Sequence, residues 1–234
     1  MSDVTQAASD RNDPWAATLS PGRIEALTDG VMAIAMTILV LELPVPHLLG
    51  SAGSGEHPAS FLDMWDEFYI YVTGFIVLGI YWILHHYMFH FIKRSDGVLV
   101  WLNIVFLVLA ALVPYATKVL QVNEVLFRDI QDAGWDAAGG FFAITTMASI
   151  LVLLVMWQYA TRRHRLVARD IDERIVSVLN RIILIGIGIN FVGVILSVFY
   201  APAGLLSFVA MAYMIMATAY GHHRPVKRKA KQEA

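Results

Sequence analysis

Cysteine is absent from the sequence, which excludes disulfides, thiolate metal sites and thiol catalysis. Charge is scarce as well: 15% of the 234 residues are charged, where soluble domains carry about 25%. Residues 44–67 contain neither Lys nor Arg. No HEXXH motif occurs, and the apolar segments hold no nucleophile–base pair or metal cluster, so the chain does not read as an enzyme. Residues 1–15 are polar and carry Asp3, Asp10 and Asp13, which does not read as a secretory signal peptide. What is present is apolar: 58% of residues are hydrophobic, and the few charges cluster between long uncharged stretches. That is the pattern of an all-α membrane protein.

A spanning helix needs about 20 mostly apolar residues. Candidate spans cover residues 24–43, 68–84, 98–120, 137–160, 175–199 and 205–220. The last two are separated at Tyr200-Ala-Pro-Ala-Gly204, where proline stops a helix and glycine favours a turn. Six spans place both termini on one side. The linkers on that side carry Lys93 and Arg94, then Arg162, Arg163, Arg165, Arg169 and Arg174. Its C-terminal tail adds Arg224, Lys227, Arg228, Lys229 and Lys231. Only Lys118 and Arg128 fall on the other side, with Glu124, Asp129, Asp132 and Asp136 around them. The positive-inside rule makes both termini cytoplasmic, in a multi-pass protein of the cell's inner (plasma) membrane. Residues 1–20 read as a disordered tail, 21–221 as the six-helix domain, and 222–234 as a basic tail touching anionic lipid, with no nucleic acid required.

The most informative segment is 23–46, RIEALTDGVMAIAMTILVLELPVP. An apolar run long enough to span is entered through Arg23, Glu25 and Asp29, which need partners in a membrane. At about 100° per residue, Ile34, Thr37, Ile38 and Leu41 share one face, with Asp29 roughly 140° away from Ile34. Periodicity alone leaves that stripe open between lipid or core packing and a pore axis. His85, His86 and His90 close the second span, and Asn103 enters the third at a matching depth. Interhelical hydrogen bonding is the ordinary role for these groups. A metal site on His86 and His90, four apart on one face, is the alternative. Asn190, deeper in the fifth span, reads as a helix–helix hydrogen bond, and Lys118 as a snorkelling side chain.

The stretch R-I-E-A-L-T-D-G-V-M-A-I-A-M-T-I-L-V-L resembles the signature R-x-x-x-F-S-D of the endolysosomal potassium channel family, transmembrane protein 175, and its bacterial relatives. Arg23 and Asp29 match; Leu27 replaces the aromatic and Thr28 the serine. The run Y-W-I-L-H-H-Y-M-F-H-F-I-K-R-S-D, followed by W-L-N-I-V-F-L and V-P-Y-A-T, is similar to the bacterial members. The resemblance implies a homotetramer of six-helix subunits whose first helices line a central potassium pathway. It places the constriction on Ile34, with further aliphatic layers on Ile38 and Leu41 and a threonine layer on Thr37. Arg23, Thr28 and Asp29 then hold the helix to the second and third spans, with His85 or His86 and Asn103 as partners for Asp29 and Arg23 as the alternative.

No TVGYG-like loop occurs, so a carbonyl-cage filter is absent. The reading that follows is a potassium-permeable cation channel filtered by aliphatic and threonine rings, with no cofactor and potassium as the permeant ion. A bond from the Thr37 hydroxyl back to the Ala33 carbonyl is the alternative for that residue. A secondary transporter or an accessory membrane protein are the rival functions. A transporter predicts inverted repeats, and no duplicated motif is visible.

Overall fold

The computed structural model describes residues 20–43, 65–126 and 137–199. The sixth span, both tails and the loop after the first helix lie outside the described residues. Five long helices account for nearly all the rest: α1 (Pro21–Leu41), α2 (Trp65–Phe91), α3 (Gly97–Leu126), α4 (Ala137–Thr161) and α5 (Glu173–Phe199). All five are long and apolar enough to cross a membrane.

Local sequence sets their ends. Ser20 and the following proline open α1, where a missing N–H costs nothing because the first turn has no partner for it. α2 continues past Leu84 to Phe91, because nothing there breaks a helix, and His85, His86 and His90 therefore lie on it. It stops before Lys93-Arg94-Ser95, and Asp96 caps α3 by accepting the Leu99 N–H at 2.9 Å. α3 runs through Pro114 without interruption.

The helices are apolar on every side, the mark of a buried or membrane helix. α3 shows this most plainly: Trp101, Val105, Val108, Leu112 and Tyr115 recur at alternating spacings of four and three and stay exposed. Its opposite face, with Leu99, Phe106, Ala110, Val113 and Ala116, is buried. α3 packs along α4, α4 along α5, and α1 lies across α2 and α3. Met32, Leu39, Leu78, Leu84, Met88, Phe106 and Trp157 are the large side chains of the common core. In lipid, burial of apolar surface gives little driving force between helices, so close packing and interhelical hydrogen bonds carry the association.

Small and polar residues supply both. Gly74 sits where α1, α2 and α3 meet: a Cβ there would stand 2.8 Å from Thr117 Oγ1 and 3.2 Å from Leu39 Cδ2. Between α4 and α5, Thr146 Oγ1 donates to Asn190 Oδ1 at 3.3 Å, while Asn190 Nδ2 satisfies the Gly186 carbonyl. The α2–α3 and α4–α5 linkers are clasped together. Lys93 N–H reaches Leu166 O at 2.8 Å, Arg94 Nη2 reaches Arg165 O at 2.8 Å, and Ile92 bridges Val167. Asp96 Oδ2 accepts Tyr159 Oη at 2.6 Å and lies 3.3 Å from Arg165 Nε, whose guanidinium covers the Tyr159 ring.

Candidate functional site

Helix α1 has two unlike faces. Ile24, Thr28, Met32, Ala35 and Leu39 are buried, at successive spacings of four, four, three and four. This seam packs on α2 and α3. The other side carries Leu27, Ile34, Thr37, Ile38 and Leu41, all exposed in the single chain. Ile34 is 60% and Leu41 79% exposed, so the described residues leave much of this face uncovered.

A polar anchor fixes the rotation of the helix. Thr28 is fully buried, and its hydroxyl meets His85 of α2 and Asn103 of α3. Donor and acceptor chemistry orders the cluster. The Asn103 amide oxygen can only accept, so His85 Nε2 donates to it at 2.9 Å. Asn103 Nδ2 then donates to Thr28 Oγ1 at 3.2 Å, and the single Thr28 hydrogen goes to Ile24 O at 3.1 Å. Three helices are thus tied by a chain of hydrogen bonds that ends on a backbone carbonyl. Phe89 and Phe106 stack against the His85 ring, 4.2 and 5.7 Å between centroids, and hold it in plane.

Beside this buried chain runs a second, exposed ladder between α1 and α2. His86 Nδ1 donates to Glu25 Oε1 at 2.9 Å, and Trp82 Nε1 donates to Asp29 Oδ1 at 2.8 Å. Glu25 and Asp29 are one turn apart on α1; Trp82 and His86 are one turn apart on α2 and stack at 5.7 Å. The two helices are therefore antiparallel along this seam. Arg23 lies on the exposed side of the first turn.

These pairings correct two expectations. Asp29 meets neither histidine and not Asn103; its partner is Trp82. The reason is rotation: Thr28, one residue and about 100° away, occupies the buried seam, so His85 and Asn103 go to it. The Thr37 hydroxyl is bonded back to its own helix, as the alternative for that residue expects, but to the carbonyl of Ile34, at 2.8 Å, in place of that of Ala33. Sequence reading also missed Trp82, although an indole N–H within an apolar helix demands an acceptor and Trp82 lies one turn before His86. It missed the pairing of Lys118 with Glu42 as well.

The donated Thr37 hydrogen has a chemical consequence. A hydroxyl that donates to its own helix leaves oxygen lone pairs free toward the exposed side, as a cation ligand requires. Further along, Ile34, Ala35 and Ile38 of α1 and Ala111, Pro114 and Tyr115 of α3 line a groove of about 500 Å³, closed at one end by Glu42 and Lys118.

The chain is similar to known proteins. The family model described as endosomal/lysosomal potassium channel TMEM175 matches residues 23–114, which span α1, α2 and most of α3. A potassium channel of Streptomyces collinus is 33% identical over 151 residues, covering 64% of this chain and 69% of that one. A potassium channel of Chamaesiphon minutus is 31% identical over 186 residues, covering 76% and 87%. The crystal structure of a lysosomal potassium-selective channel TMEM175 homologue from Chamaesiphon minutus is similar with a TM-score of 0.68 at 26% identity, over 86% of this chain and 97% of that chain.

Proposed function

Because the chain belongs to the endosomal/lysosomal potassium channel TMEM175 family, we propose that it conducts potassium across a membrane through a pore lined by α1. The observation that carries this reading is the division of α1 into a polar-anchored, buried seam and an uncovered face bearing Ile34, Thr37, Ile38 and Leu41. A helix pinned on one side by His85 and Asn103 presents the other side in a fixed register, as a pore wall must.

In this proposal four subunits bring four α1 helices round an axis. Ile34 forms the narrow ring, Ile38 and Leu41 add aliphatic layers, and the Thr37 oxygens stand between them. A ring of branched side chains holds no water when narrow, and its width when open sets the ion that passes. Four hydroxyl oxygens replace part of a potassium ion's hydration shell. Potassium gives up water at lower cost than sodium does, so an oxygen ring beyond an apolar neck favours it, with modest selectivity. The filter therefore differs in kind from a carbonyl cage.

The Lys and Arg asymmetry supports cytoplasmic termini, and impermeant thiol labelling of intact cells at single cysteines introduced at positions 54 and 163 reads both that orientation and the proposed residence in the plasma membrane. The function is tested with purified protein in potassium-loaded liposomes. Channel flux follows the electrochemical potential, while flux that saturates and couples to a second gradient would mean a transporter instead.

A further inference from the structure

Glu42 ends α1 and is its C-cap, with its N–H turned back to Leu39 O and Val40 O. Across the groove on α3, Lys118 Nζ donates to the Glu42 carbonyl at 3.0 Å and lies 3.6 Å from its carboxylate Oε2. One ammonium group thus covers two negative features: the carbonyl end of the helix and the side chain that follows it. Both side chains keep substantial exposure in the single chain, 40% for Lys118 and 32% for Glu42, so the pair is not sealed inside the helix bundle. Leu41, the most exposed of the α1 aliphatic residues, is its immediate neighbour, and Ile34 and Ile38 share its groove.

We infer that Lys118 sets the electrostatic potential at the pore mouth formed by the C-terminal ends of α1, by neutralising Glu42. This rests on the reading of α1 as the pore-lining helix of a tetramer. Each helix end contributes about half a negative charge, so four of them give about −2 when Lys118 balances Glu42, and about −6 without Lys118. A mouth of that charge concentrates cations beside the conduction path and raises their entry rate. With the lysine in place only the weaker helix-end charge remains, and entry follows bulk potassium more closely. Lys118 is in this account a rate-setting residue outside the narrow part of the pore, and it touches no permeant ion.

The test is single-channel recording of the full-length protein at two potassium concentrations. Screening reaches roughly 20 Å at ~20 mM salt and about 3 Å at 1 M, so a surface-charge effect is large only in the dilute solution. Lys118→Met should raise the potassium conductance at ~20 mM about threefold and leave it within about 1.3-fold at 1 M. Glu42→Gln, which leaves the ammonium unbalanced, should lower the dilute-solution conductance by a similar factor. The double variant should return to wild type, and Lys118→Arg should match wild type throughout. An unchanged dilute-solution conductance in Lys118→Met, or an equal change at both concentrations, overturns the inference. Should Lys118→Met fail to assemble, Glu42→Gln decides alone, and no fall in its dilute-solution conductance overturns the inference. Ile34→Asn recorded in parallel separates the two readings. If it alters conduction while the Lys118 and Glu42 variants do not, only the charge-balance inference fails. If none of them alters conduction, α1 does not line the pore and both readings fail.

Discussion

Replacing Thr28 by Val removes one hydroxyl from the centre of the three-helix anchor while keeping the shape of the side chain. The buried Asn103 amide then loses the acceptor it holds at 3.2 Å, and no water-exposed route to a substitute exists, since Thr28, His85 and Asn103 are all within 1% of full burial. An orphaned buried polar group costs roughly 1–3 kcal/mol. For a chain of this size that corresponds to a fall in midpoint temperature of about 2–4 °C per kcal/mol, taking soluble domains as the guide. Asn103→Leu should cost at least as much, because it orphans His85 Nε2. The two changes break the same chain of bonds, so their effects should not add. Thr28→Val/Asn103→Leu should lie within about 1 kcal/mol of the worse single variant, the coupling typical of one network. Thermal unfolding of the purified protein in detergent, followed by tryptophan fluorescence, measures all four proteins. Strict additivity, or a Thr28→Val midpoint equal to wild type, would refute the hydrogen-bond order assigned to the cluster.

Gly74→Ala should destabilise by about 1–3 kcal/mol, because the new methyl meets Thr117 Oγ1 at 2.8 Å and Leu39 at 3.2 Å; Gly79→Ala, whose Cβ meets nothing within 4 Å, is the neutral control in the same melts. Asp96→Ala removes the α3 cap and the acceptor for Tyr159 and Arg165, and should cost about 1–2 kcal/mol. Proteolysis of the α4–α5 linker should accelerate with it, and an unchanged digestion rate would show that the linker clasp holds without Asp96. Thr37→Ala should leave the aliphatic neck intact and reduce the preference for potassium over sodium, read as a shift of reversal potential under bi-ionic conditions; an unshifted reversal potential would remove Thr37 from the filter.

The five described spans were legible because hydrocarbon tolerates few charges, and uncharged runs of the right length have few other uses. Helix α2 ran beyond its expected end because His85, His86 and His90 read as interfacial residues, whereas His85 bonds Asn103 of α3, His86 bonds Glu25 of α1, and nothing there breaks the helix. The rotation of α1 was less legible. Both of its faces are apolar, so a periodic stripe through Ile34 does not say which side the subunit covers; Thr28, which only the family resemblance picked out, and the small Ala35 mark the buried side. Asp29 drew attention by its charge, yet the deeper contact belongs to the hydroxyl one residue earlier. The Glu25–His86 and Asp29–Trp82 ladder depends on the antiparallel register of two helices, which local sequence does not encode. Lys118 could be placed at a membrane face from sequence, but its partner lies 76 positions away.

Single-channel recording of Ile34→Asn in a planar bilayer tests the central claim most directly. Ile34 heads the exposed face of α1 and is 60% exposed in the single chain. A polar amide ring in place of four branched alkyl groups should wet and widen the neck. The expected result is a larger cation conductance and sodium permeability approaching that of potassium. Conductance and selectivity equal to wild type would contradict the claim that α1 lines the conduction path.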